Sequence, residues 1–272
     1  MKSKCLIISV VVAVTVCSSP SRAGTILNSA DGFAVLGGST VTSTGNTILN
    51  GDLGVYPGTA ITGFTPGIVH GVTYPGGAVA QQAESDALSA YNLLAGEAFT
   101  QSLTGQNLGG LILTPGVYKF NTSALLTGML TLDAQNNPDG IFVFQIGSTL
   151  TTASSAAINL LNGAQAGNVF WQVGTSATLG SDTSFDGSIL ADQSITLNTG
   201  TSLSGRALAL NAAVTLDNNV ITIPLAVPEP AAFSLVFFCA GLFGMGQWFR
   251  GAAQNRSFLK MPVARDGQPR QP

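Results

Sequence analysis

A chain of 272 residues with only 8% charged side chains and 33 glycines has room for one or two domains and is rich in turns. Between Gly24 and Val227 the cations are Lys119 and Arg206 alone, against eleven carboxylates from Asp31 to Asp217. A stretch this acidic cannot neutralise a phosphate backbone, which excludes nucleic acid as a partner. The other eight Lys and Arg residues lie at the two ends, the pattern expected when the ends are addresses and the middle is the working domain.

In chain order, Lys2 and Lys4 precede the apolar run Cys5–Cys17, and Ser21-Arg22-Ala23 has the small-x-small form of a cleavage site. Residues 1–23 therefore read as a secretory signal peptide. The run is too short for an ordinary transmembrane helix. Lipidation at Cys17 is disfavoured because Val16 stands where a small residue is needed. All three cysteines, Cys5, Cys17 and Cys239, lie in apolar end segments, so the domain expected over 24–226 has no disulfide or thiolate chemistry.

Within that domain one segment predicts a helix. Pro75-Gly76-Gly77 breaks the chain, and Ala78–Glu97 is built from good helix formers. Ala80, Ala83, Ala87, Ala90, Tyr91 and Leu94 recur at spacings of three and four and make one apolar face, with Gly96 as a stop. Nearly everything else reads as short strands between turns, as in 140–146, 168–173 and 194–197. Asp182–Leu190 matches Gly200–Leu208 at an offset of eighteen, and Gln193–Leu197 matches Ala212–Leu216 at nineteen. A repeat of this length is one coil of a three-sided β-solenoid. An antiparallel sandwich also has frequent short strands, but the offset repeat favours the solenoid.

The tail begins at Val227-Pro228-Glu229-Pro230. Ala231–Phe249 follows, nineteen residues without a charge and long enough to cross a hydrocarbon core, and Arg250 closes it. Segment 227–250 resembles the PEP-CTERM sorting signal of Gram-negative bacteria. That resemblance implies exosortase-type sorting machinery as a partner, membrane contact through the C-terminal helix, and a destination at the cell envelope, cell surface or extracellular matrix. Such tails usually stop soon after the basic residue. Here a basic, disordered tail is expected over 251–272, with Arg256, Lys260, Arg265 and Arg270, which departs from the pattern. A plain membrane anchor is the alternative.

The domain itself resembles the ice-binding-like family of bacteria, fungi and algae. The matching stretches are Phe33–Thr42, Gly51–Val55, Pro57–Phe64, Leu113–Tyr118, Phe142–Gly147, Asn168–Gly174 and Gly205–Ala209. The resemblance implies a mainly β fold, a right-handed, three-sided, discontinuous β-helix with one long α-helix packed alongside. It also implies an ice-binding face marked by loose repeats of Thr, then Ala or Gly, then any residue, then Thr or Asn. Thr44-Gly45-Asn46-Thr47 and Thr59-Ala60-Ile61-Thr62 fit in full. Thr152–Ser155 and Thr199–Ser202 end in Ser, and Thr175–Thr178 departs at its second place. The expected ice contacts are therefore Thr44, Asn46, Thr47, Thr59, Thr62, Thr152, Ser155, Thr175, Thr178, Thr199 and Thr201. The motif is permissive, and Thr is also simply a good strand residue.

Catalytic readings lack residues. His70 is the sole histidine, and no nucleophile motif adjoins it. Asp133, Asn136, Asn137 and Asp139 are oxygen-rich but lack the EF-hand spacing, and Asn-Asn-Pro-Asp-Gly is a turn sequence. No phosphate loop or dinucleotide fingerprint appears. The expectation is an exported, non-enzymatic protein without a cofactor. It would act as an antifreeze-type, recrystallisation-inhibiting protein whose partner is ice or ordered water. The alternative on the same scaffold is a surface or matrix protein that serves in adhesion without recognising ice. N-terminal sequencing of exported protein should begin at Gly24; a mature chain that retains Lys2 and Lys4 refutes the signal peptide.

Overall fold

In the computed structural model the described residues are 26–65 and 67–224. The signal-peptide, sorting-segment and basic-tail expectations (1–23, 227–250 and 251–272) fall outside them. The described chain winds into coils whose short strands pair only in parallel, so each coil lays one strand on each of three faces.

Face A holds Gln101–Ser102, Gly116–Phe120, Phe142–Ile146, Val169–Val173, the second halves of Ser184–Ala191 and Ser202–Ala209, then Phe33–Gly37, Asp52–Val55 and Thr73–Pro75. Face B is a seven-stranded sheet in the order Ala124–Leu126, Leu150–Thr152, Ala177–Leu179, Ile195–Leu197, Val214–Asp217, Thr40–Thr44 and Ala60–Thr62. Face C carries Ile112–Leu113, Met129–Asp133, Ala157–Leu161, the first halves of the two eight-residue strands, Val220–Thr222, Ile48–Asn50 and Ile68–Val69. The order in space is thus broken in sequence. The N-terminal coils stack beyond the C-terminal ones, with Val35 beside Ala207 and Val41 beside Val214.

The eighteen-residue repeat is visible as register. Ser184 through Ala191 pairs residue for residue with Ser202 through Ala209. Both strands turn the corner from face C to face A at a glycine. Gly187 holds a φ of +111°, and a Cβ on Gly205 would sit 1.9 Å from the Gly187 carbonyl oxygen, so the corner admits no side chain.

One coil cannot bury its inward side chains alone; the next coil covers them. On face A, Tyr118, Phe144 and Trp171 occupy the same place on successive coils. Their rings stack, with centroids 5.5 Å and then 3.9 Å apart, and Phe185 closes the column 4.9 Å from Trp171. The Trp171 indole N–H donates to the Asp186 carbonyl at 3.0 Å, so the buried ring has no orphaned donor. Face B contributes an aliphatic column of Ala124, Leu150, Ala177, Ile195, Val214 and Val41, all buried.

Helix α1, Gly77–Gly96, packs on the outside of face A. Its 20 residues span about 30 Å, or about six coil spacings of 4.8 Å. It carries the chain back from the end of the stack at Thr73–Pro75 toward Gln101–Ser102, and this return makes the discontinuous order possible. Ala80, Ala83, Ala87, Ala90 and Leu94 form its buried stripe, and the small side chains let it approach the sheet closely. Val143, Phe170, Leu190, Leu208 and Leu36 meet it from the strands. Gln145 Nε2 donates to the carbonyls of Leu94 at 2.8 Å and Glu97 at 2.7 Å, which satisfies acceptors at the helix C-terminus.

Both carboxylate oxygens of Glu84 on α1 are enclosed without a hydrogen-bond partner. Burial pushes this group up from 4.5 to about 8. Between those values the folded chain keeps a proton that the unfolded chain has lost, so stability falls as pH rises from about 4.5 to about 8. Glu84→Gln should therefore raise the melting temperature at pH values above about 8 and change it little near pH 4. An equal effect at both pH values in thermal melts contradicts this.

Candidate functional site

Strand alternation sends every second residue of face B outward. The parallel register then lines those residues up from coil to coil. Thr151 pairs with Thr178, Thr178 with Thr196, Thr196 with Thr215, Thr215 with Thr42, and Thr42 with Thr62. The result is an unbroken row of threonines, which Leu125 continues at one end. Thr151, Thr215 and Thr62 are exposed; Thr178, Thr196 and Thr42 are half-buried.

A second outward row runs beside the first. Ser123, Thr149, Ser176, Ser194 and Ala213 are linked in sequence by backbone or hydroxyl bonds, and Thr40 and Ala60 continue the row. Ser194 Oγ lies 3.0 Å from Ser176 Oγ, and Thr149 donates to Ser123 at 2.9 Å. Strand geometry makes the two rows a grid of about 4.8 Å along the stack by about 6.7 Å across it. No charge lies in either row. A carboxylate stands at the edge, where Asp217 accepts from Thr44 Oγ1 at 2.9 Å and from Thr199 Oγ1. The bonds from Thr199 and Thr44 hold that carboxyl below its usual range.

The other faces lack this uniformity. Face A lies under α1. Face C mixes Met129, Ile112, Val220 and Ile68, all exposed, with Asp186, which desolvation pushes up to about 6. His70 is exposed at the far end of face C. Asp133 accepts from the Gln135 amide and from Asn162, and Asn137 caps the Asp139 amide, so the acidic segment is occupied in holding its turn. Among the described residues no group of His, Cys, Asp or Glu is spaced to hold a metal ion, and no helix is long and apolar enough to cross a membrane.

The motif-derived candidates divide four ways. Thr62 and Thr178 stand in the threonine row. Thr44, Thr59 and Thr175 lie at its margins, Thr44 and Thr59 exposed and Thr175 with an enclosed hydroxyl. Asn46, Ser155 and Thr199 occupy exposed turns at the corner between faces B and C. Thr47, Thr152 and Thr201 are corrected outright: they point inward, only 0%, 4% and 0% exposed. Their hydroxyls serve backbone groups at that corner. Thr47 accepts from the Asn219 amide, Thr152 from the Gly180 amide, and Thr201 donates to the Gly180 carbonyl. In Thr44–Thr47 and Thr152–Ser155 the motif straddles that corner, where the chain turns and alternation is lost, so its first and last places do not share a side.

Sequence reasoning missed Thr42, Thr151, Thr196 and Thr215, as well as Thr40 and Thr149. The signal was present. Ile195-Thr196-Leu197 and Val214-Thr215-Leu216 are the matched repeat, and a Thr between two aliphatic residues in a half-buried strand points outward.

A family model described as ice-binding-like matches residues 35–222. An ice-binding protein of Nostoc sp. (strain HG1) is 49% identical over 258 residues, which cover 91% of this chain and 95% of that relative. Among solved structures, an ice-binding protein from an Antarctic biological consortium has a TM-score of 0.72 and 45% identity, over 80% of this chain and 97% of the other. An ice-binding protein from the Antarctic ascomycete Antarctomyces psychrotrophicus has a TM-score of 0.72 and 38% identity, over 74% of this chain and 98% of the other.

The inward and outward threonines should respond differently to loss of the hydroxyl. Thr152→Val leaves the buried Gly180 amide without its partner and should cost about 1–3 kcal/mol. Thr151→Val, one residue away and exposed, should stay within about 0.5 kcal/mol of wild type. Denaturant unfolding of the two variants measures both.

Proposed function

The chain belongs to the ice-binding-like family, and from that premise we propose that it binds ice through face B and inhibits ice recrystallisation. The observation that carries the choice of face is the threonine row from Thr151 to Thr62, in register and free of charge. Each threonine offers a hydroxyl that anchors a water and a methyl that hinders disordered hydration. A single such contact is weak. A grid held by the ladder loses little freedom on binding, so the weak contacts accumulate. The reading calls for no catalytic group and no cofactor.

Export and a place at the cell surface or in the extracellular matrix belong to the same proposal. They are supported by the signal-like residues 1–23 and by the Pro-Glu-Pro, apolar and basic order of 227–250, which fits sorting machinery and a membrane partner.

Thr196→Tyr and Thr215→Tyr each place a ring in the middle of the grid. Ice-recrystallisation inhibition should fall sharply in both, while the melting temperature holds, because the side chains point outward. If wild type inhibits and both variants keep full inhibition, face B is not the site. If wild type neither inhibits nor shapes ice, the function itself is wrong.

A further inference from the structure

We infer that this domain is built to grip ice while it is fixed to another body, as an ice adhesin, and that its attachment corner lies opposite the ice face. The inference rests on the reading of face B above and adds where the chain enters and leaves. Both ends of the described domain meet the corner between faces C and A. At the C-terminal end, the Ile223 amide donates to the Asn50 carbonyl at 3.1 Å, and its side chain lies against Gly51, the residue that turns face C into face A. Pro224 then lies beside Gly167, in the turn that makes the same corner three coils further along the stack.

The N-terminal end starts against α1, where Ile26 and Leu27 are buried in one cluster with Ala83 and Ala87 and the Ser29 amide donates to Asp86, and it reaches the same corner at Asp31. Asn28–Gly32 leads into Phe33 at the start of face A. Asp31 Oδ1 pairs with Arg206 Nη2 at 2.7 Å, and the Asp31 carbonyl accepts from Arg206 Nε at 2.8 Å. Arg206 is the first residue past the Gly205 corner, only 3% exposed, and Ser188 holds its third nitrogen. In a three-sided coil the corner between two faces stands opposite the third face. Neither end of the described chain therefore lies on face B, and Pro224, the last described residue, is on the side away from it. Many copies fixed through their tails would present their grids away from the supporting surface. Binding of one copy then raises the local concentration of ice for its neighbours, and avidity follows without any new contact.

The test uses the full chain without its signal peptide and with Cys239→Ser, coupled to beads through one introduced cysteine. Gln165→Cys puts the linkage at the corner between C and A, Asn46→Cys at the corner between B and C, and Gln193→Cys at the corner between A and B. Each variant is first assayed free in solution for recrystallisation inhibition. Beads at equal coating are then mixed with growing ice and the fraction taken up by the ice is counted. Beads linked through residue 165 should be taken up, and those linked through 46 or 193 largely left behind. Equal uptake of all three, or failure of the residue-165 beads while the free protein inhibits, overturns the orientation. Inactivity of every free variant and of wild type sinks the face B reading instead.

Discussion

Lateral register is the constraint on which everything else in this molecule depends. Parallel strands in successive coils pair residue for residue, so whatever one coil buries must meet what the next coil buries. Tyr118, Phe144 and Trp171 share one inward place, and Val41, Val214 and Ile195 share another. The outward residues have no choice in the matter. Thr196 is level with Thr215 because Ile195 is level with Val214. A slip of one residue would turn the aliphatic column outward and the hydroxyl row inward, at the cost of the whole buried core. The exposed grid is thus specified by the interior, and a rigid interior makes a rigid grid.

The same rule explains how the faces can differ. Face A is buried on both sides because α1 covers it, which is why Phe142–Ile146 and Val169–Val173 are buried at every position. Face B keeps strict alternation and small side chains. No charge stands in either outward row of face B. Arg206 is enclosed with Asp31, and Lys119 lies 5.2 Å from the centre of the Phe99 ring. Asp217 sits at the margin of face B, tied by two hydroxyls. The acidic groups elsewhere give the domain a net negative charge, which discourages self-association of its neutral face.

Much of this was legible in the sequence. The helix is Gly77–Gly96 where Ala78–Glu97 was expected, since its small-residue stripe needs only spacing to be recognised. The solenoid showed through the offsets of eighteen and nineteen, because a repeat that must stack must also repeat its inward residues. The site was less legible. A four-residue Thr motif ignores which way a residue points, and so it gathered buried Thr47, Thr152 and Thr201 together with exposed Thr62. Direction depends on where the corners fall, and those depend on glycines and turns whose conformation a short motif does not encode. The charge and polarity of the grid were readable; of its threonine row the motif found Thr62 and Thr178 and missed the others.

The broken chain order has a cost that the polar side chains at the join are placed to meet. Where the N-terminal coils join the C-terminal ones, the paired residues are about as far apart in sequence as any in the domain, and closing so long a loop is entropically unfavourable. Apolar stacking alone would leave this seam free to slide, because Val and Leu columns look alike in neighbouring registers. The seam is also where side-chain hydrogen bonds gather. Thr44 reaches Asp217, Asn46 takes Asn218, Asn50 donates to Thr222, Thr47 accepts from Asn219, and Arg206 holds Asp31, at separations of 172 to 175 residues. Directional bonds of this kind contribute modestly to stability but reject the wrong partner. They fix Val41 against Val214 and so bring Thr42 and Thr62 into line with Thr215. The threonine row crosses the join between coils distant in sequence unbroken because hydrogen bonds at the corners set its register there.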